Sequence, residues 1–161
     1  MKRYPLLTTF RVYPESAHPD EKRPPHSRYF EVRVYRDKPA MRRGIRGHAC
    51  TKAGDYRQTG ALAHACRTIL VTKGQPERER PQRGILFIHE GEVFSEQVAH
   101  EMGHFALRIA TDDRVFVQRK SAIGVASLEE ESFCYILGRL VSQFWSGWGV
   151  YERTHPKRTT R

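Results

Sequence analysis

Apolar and polar positions alternate along this chain in two distinct rhythms, and the clearest helical one lies between residues 95 and 112. There Val98, Met102, Phe105 and Ile109 recur at i, i+4, i+7 and i+11, a single apolar stripe at helical spacing, with Ser95 the expected N-cap. Ala99, Gly103 and Ala106 fall together on another flank, where small side chains would admit a close neighbour. A second helical pattern opens at Ser127-Leu128-Glu129-Glu130-Glu131-Ser132, with Ser127 and Glu130 at capping-box spacing and Phe133, Ile136, Leu137, Leu140 and Phe144 as its buried face.

The other rhythm has period two. Thr8 to Tyr13 and Arg28 to Tyr35 read as strands, the second setting Phe30, Val32 and Val34 against Tyr29, Glu31, Arg33 and Tyr35, as on a sheet with one dry face. Ala65 to Thr72 is a further strand candidate. The segment Gly84-Ile85-Leu86-Phe87-Ile88-His89-Glu90-Gly91 is nearly continuously apolar, which fits either an interior strand or an edge strand able to hold an extended peptide. Pro14 to Pro25 and Lys73 to Arg83 read as loops, and Thr111 to Ala126 joins the two helices with a short strand expected at Val115-Phe116-Val117. This order predicts an α+β fold, a small antiparallel sheet packed beside the first helix, with a second C-terminal helix.

At 161 residues the chain is expected to form one domain, 1–161, with a basic, loop-rich N-terminal part and a short basic tail from Arg153 to Arg161. No apolar run approaches the roughly 20 residues of a membrane helix, and Met1-Lys2-Arg3-Tyr4-Pro5 is not followed by a signal-peptide core, so a cytoplasmic protein is expected. Three cysteines without a CxxC pair agree with a reducing compartment. A net charge of +10 attracts nucleic acid or acidic protein partners, although no nucleic-acid-binding motif is visible.

Within the first helix stands His100-Glu101-Met102-Gly103-His104, an HExxH segment. On a helix its two histidines sit one turn apart and can grip one metal ion, while Glu101, about 100° around the axis, can address a water on that metal. The apolar stripe lies on the far side from the histidines, so one face can be buried while the other meets a cleft. A catalytic zinc site needs a third protein ligand. The extended HExxHxxGxxH pattern is excluded, because Leu107 and Ala110 stand where Gly and His would be required. Glu129 projects onto the buried face of the second helix, where a carboxylate is costly unless paired or metal-bound, and is the expected third ligand; Glu130, at the edge of that face, is the runner-up and Glu131 turns away. Tyr135, Tyr151 and His155 are candidates for stabilising an oxyanion. A small repeat, His48-Ala49-Cys50 and His64-Ala65-Cys66, could offer a second His₂Cys₂ zinc site if two strands set it side by side, although half-buried strand residues are the ordinary outcome.

Ile85-Leu86-Phe87-Ile88, then Val98-Ala99-His100-Glu101-Met102-Gly103-His104-Phe105-Ala106-Leu107, then Glu129-Glu130-Glu131-Ser132 resemble the ImmA/IrrE-type metallopeptidases over residues 84 to 141, and more broadly the gluzincins. Phe133 and Gly138-Arg139-Leu140 depart from that family's pattern. The resemblance implies a zincin-like fold, a bound Zn2+ and an endopeptidase in which Glu101 activates water. It also implies a specific protein substrate such as a DNA-bound regulator, in a phage or mobile-element setting. The other class open to the sequence is a basic nucleic-acid- or protein-binding regulatory module whose metal site is structural or non-catalytic.

Overall fold

The computed structural model describes residues 5–15, 27–48, 60–65, 69–70, 78–113 and 128–156. In chain order these form β1 (Leu6–Val12), β2 (Tyr29–Tyr35), α1 (Lys38–Arg46), β3 (Ala61–Ala65), β4 (Ile69–Leu70), β5 (Arg78–Glu79), β6 (Gln82–His89), α2 (Ser95–Asp112) and α3 (Leu128–Thr154). The architecture is α+β. Four strands make a sheet in the order β1-β2-β6-β3, and β4 pairs with β5 in a separate ribbon.

The sheet is mixed rather than antiparallel. β1 runs antiparallel to β2 and β3 antiparallel to β6, but β2 and β6 are parallel, from Phe30 opposite Gly84 to Tyr35 opposite His89. A parallel pair needs a crossover connection, and the chain between these strands includes α1, which packs on the sheet face opposite α2 and α3. That helix escapes the hydrophobic pattern because only Ala40, Met41 and Ile45 are buried, yet Asp37 caps it by accepting from the Ala40 N–H at 2.7 Å and Pro39 sits in its first turn. Asp-x-Pro before a Met41/Ile45 pair was the available signal.

β6 is interior, which settles the alternative left open for this segment. Ile85, Leu86, Phe87 and Ile88 are all fully buried, since Leu86 and Ile88 face α2 and α3 while Ile85 and Phe87 face α1. With both faces covered the strand has no reason to alternate. Among the described residues, the edge beside α2 is β3 instead. The strand expected at Ala65 to Thr72 is β3 ending at Ala65 and the two-residue β4, and the expected loop from Lys73 to Arg83 contains β5 and the start of β6. The expected strand at Val115 to Val117 and the Ser127 cap lie outside the described residues.

Val98, Met102, Phe105 and Ile109 are buried as the stripe requires. Phe105 stacks on Phe30 with centroids 4.0 Å apart, fixing α2 to β2, and burial of such a ring stabilises by roughly 1.5–3 kcal/mol. Gly84 makes room for this contact, because a Cβ there would lie 2.6 Å from the His64 carbonyl oxygen and 3.1 Å from the Phe105 ring. Ser95 begins α2 but does not cap it; Phe94 holds the cap position and no side chain supplies the bond. Of the small-residue flank, Ala106 is fully buried in the core, whereas among the described residues nothing lies within 4 Å of where a Cβ on Gly103 would stand.

α3 lies across the same core through Leu140, Phe144 and Trp148, with Phe144 edge-on to Phe10 of β1 at 5.6 Å. Buried Gln143 pins the helix to the end of β1, accepting from the Tyr13 N–H at 3.0 Å and donating to the Tyr13 carbonyl at 2.9 Å. At the C-terminal end of α2, Asp113 receives two bonds from the Arg28 guanidinium, at 2.5 and 2.8 Å. Among the described residues no helix is long and apolar enough to cross a membrane.

Candidate functional site

Helical spacing places His100 and His104 one turn apart on the exposed side of α2, and their rings turn toward each other. The two Nε2 atoms stand 3.2 Å apart and the rings are nearly perpendicular, at 87°. Two imidazole nitrogens bound to one tetrahedral zinc, each about 2.0–2.1 Å from it, must be about 3.3–3.4 Å from each other. The pair therefore has the spacing of a bidentate metal grip. The same distance also accommodates one N–H···N bond between rings in opposite tautomers.

Glu101 points elsewhere. Only 5% exposed, it turns its carboxylate toward the edge of the sheet, where Oε2 accepts from the Ala63 backbone N–H of β3 at 2.7 Å. Its Oε1 accepts from the side-chain amide of Gln97, one turn earlier on α2, also at 2.7 Å. A buried carboxylate without donors would be strongly disfavoured, and these two bonds satisfy the first lone pair of each oxygen. Because Ala63 directs its N–H away from β6, the alternation of an antiparallel ladder turns the backbone groups of Ala61 and Ala65 to the same free edge. The site thus consists of two convergent imidazoles, the buried carboxylate of the residue between them in sequence, turned to the sheet, and a strand that is the sheet edge among the described residues and is tied to that carboxylate.

Of the expected third ligands, Glu129 lies in the first turn of α3 with its side chain outside the described residues, and Glu130 and Glu131 are exposed. Among the described residues no three His, Cys, Asp or Glu side chains come together as a metal-binding group. Tyr135 is exposed on α3. Tyr151 and His155 are engaged at the far end of that helix, in a stack with Trp148 at 5.0 Å from Tyr151 to Trp148 and 4.6 Å from Tyr151 to His155.

His48 and His64 come to the same side of the sheet. His48 follows α1 and meets the Phe87 ring edge-on at 5.6 Å, while His64 lies on β3 opposite Ile85. Burial, and then the positive charges of Arg33 and His64, hold the His48 imidazole below its ordinary range. Cys50 and Cys66 lie outside the described residues.

Gln97 and the Ala63 amide were missed by sequence reasoning. Gln97 stands at i−4 from Glu101, a spacing that announces a side-chain contact on any helix, but nothing in the sequence indicates which strand edge meets the carboxylate. Comparison with known proteins returns no matching family model, no matching curated protein and no matching solved structure.

Proposed function

We propose that this chain is a zinc-dependent endopeptidase of the zincin type, similar to the ImmA/IrrE metallopeptidases, acting in the cytoplasm on a specific protein. The observation that carries the reading is the 3.2 Å approach of the His100 and His104 Nε2 atoms on the helix that also carries the buried Glu101. The donor set fits zinc: two imidazoles one turn apart, with Glu129 as the proposed third ligand and Glu130 as its runner-up. Zinc held there supplies Lewis acidity, lowering the pKa of water to about 7 and polarising a carbonyl.

The remaining work falls to the chain itself. Glu101 takes a proton from the attacking water and passes it to the leaving amine nitrogen. Gln97 and the Ala63 N–H hold the carboxylate in one orientation while it does so. The outward backbone groups of Ala61 and Ala65 on β3, the sheet edge among the described residues, receive an extended stretch of substrate by backbone pairing, which aligns a polypeptide along the site and favours a peptide bond over a small ester. A DNA-bound regulator is the substrate class that the family resemblance suggests.

The test is elemental mass spectrometry on purified protein beside a His104→Ala variant prepared identically. About one zinc per chain, lost in the variant, is the expected result. Wild-type protein that takes up no zinc even when supplied with it refutes the reading.

A further inference from the structure

The two helical layers differ in charge. α2 and α3 display Glu96, Asp112, Glu130, Glu131 and Glu152 against Arg108, Arg139 and Arg153, whereas α1 carries Lys38, Arg42, Arg43 and Arg46 and no acid at all. α1 docks through Ala40, Met41 and Ile45 onto Tyr35, Ile85 and Phe87, and this orientation leaves Arg43 and Arg46 exposed, beside the exposed Arg36.

The basic surface continues along the sheet. Phe10 and Val32 face α2 and α3, so Arg11, Glu31 and Arg33 face the α1 side. Exposed Arg11 lies over the Tyr29 ring at 4.3 Å, and Tyr29 sits 6.0 Å from the Tyr13 ring. Among the described residues, Glu31 accepts from Arg33 Nε and Asp37 caps α1, while Glu92 lies 3.8 Å from His89 Nε2, near Lys38 and Arg42. From Tyr35 beneath α1 to Tyr29, six residues of strand span about 20 Å. That length suits the small end of single-strand sites, about four nucleotides.

We infer that the α1 side of the sheet is a binding surface for single-stranded nucleic acid, on the opposite face from the His100/His104 pair. Arg36, Arg46 and Arg11 meet phosphates, and the Arg11/Tyr29/Tyr13 cluster supplies planar groups on which bases stack. A stacking cluster in line with a basic stripe favours a single strand over a duplex, whose bases are not available to it. The inference does not depend on the peptidase reading.

Fluorescence anisotropy with a labelled oligothymidine, across a series of salt concentrations, tests it. Wild type binds saturably at low salt with an affinity that falls as salt rises. Arg36→Glu/Arg46→Glu weakens binding at least tenfold and flattens the logarithmic salt dependence by about 1.4, the contribution of two phosphates on a single strand. Tyr29→Leu weakens it about fivefold or more while leaving the slope unchanged. Arg108→Glu, on α2, binds as wild type. Circular dichroism establishes that each variant is folded, and Arg36→Gln/Arg46→Gln serves if charge reversal disturbs α1. Absence of saturable binding, tighter binding to a duplex of equal length, an equal loss in Arg108→Glu, or indifference to Tyr29→Leu each overturns the inference.

Discussion

Replacing Glu101 separates its structural contribution from its chemical one, because the two donors that hold it differ in what they tolerate. The Ala63 N–H can only donate, whereas the Gln97 amide can turn over and present its oxygen instead. In Glu101→Gln the new carbonyl oxygen keeps Ala63, and the new NH₂ group meets a flipped Gln97. Every group stays bonded and only the charge assistance is lost, at a cost of about 1 kcal/mol, or roughly 2–4 °C in Tm. Glu101→Ala instead strands a buried amide and the Gln97 side chain and leaves a void, at about 3–5 kcal/mol. Urea unfolding followed by circular dichroism, in chelator so that metal binding adds nothing, measures both. Gln97→Leu removes the group that adapts, so in that background the cost of Glu101→Gln should rise by about 1–2 kcal/mol. Equal destabilisation by Gln and Ala, or no coupling to Gln97, would refute the reasoning. Under the proposed function the Glu101→Gln protein is also folded, binds zinc and cleaves nothing.

Two further outcomes follow from the packing. Gly44→Ala should destabilise by about 1–3 kcal/mol despite the better helix propensity of alanine, since the added Cβ would lie 2.2 Å from the Tyr35 hydroxyl and 2.5 Å from its ring; a neutral or stabilising result in thermal unfolding would show that α1 does not cross Tyr35 this closely. The Arg28 bonds hold the Asp113 carboxyl below its ordinary range, so the clamp contributes fully above that range and is lost as pH falls through the lowered folded value. Asp113→Asn should therefore cost up to about 1 kcal/mol at neutral pH, given the partial exposure of the pair, with the gap to wild type closing under acid; a gap that is constant with pH would contradict it.

The sequence made α2 and the placement of its two histidines legible and left the sheet's topology obscure, for one physical reason. Val98, Met102, Phe105 and Ile109 need no information beyond their own spacing to define a buried face, and His100 and His104 are then forced onto the other side. Strand order has no such local signature. Phe30, Val32 and Val34 alternate the same way whether their neighbour is parallel or antiparallel, and the parallel pairing with β6 is set by the crossover between them. The unbroken apolar run of β6 did carry the evidence for an interior strand, but length alone could not exclude an edge.

The same distinction governs the site. Residues that act through helical register, His100, His104 and Gln97, stand at i, i+4 and i−3 and can be placed from the sequence. Those that act through tertiary contact cannot: the Ala63 N–H is an anonymous backbone group on a strand whose most visible feature is a run of alanines, and it reaches Glu101 only because Gly84 lets Phe105 and β3 close up against β6. Gly84 therefore connects the fold to the chemistry. A side chain at 84 would displace the His64 carbonyl or the Phe105 ring, and either shift would move the β3 edge relative to α2 and with it the amide that orients Glu101. The geometry of the carboxylate is thus set from the neighbouring strand, by the smallest residue in the sheet.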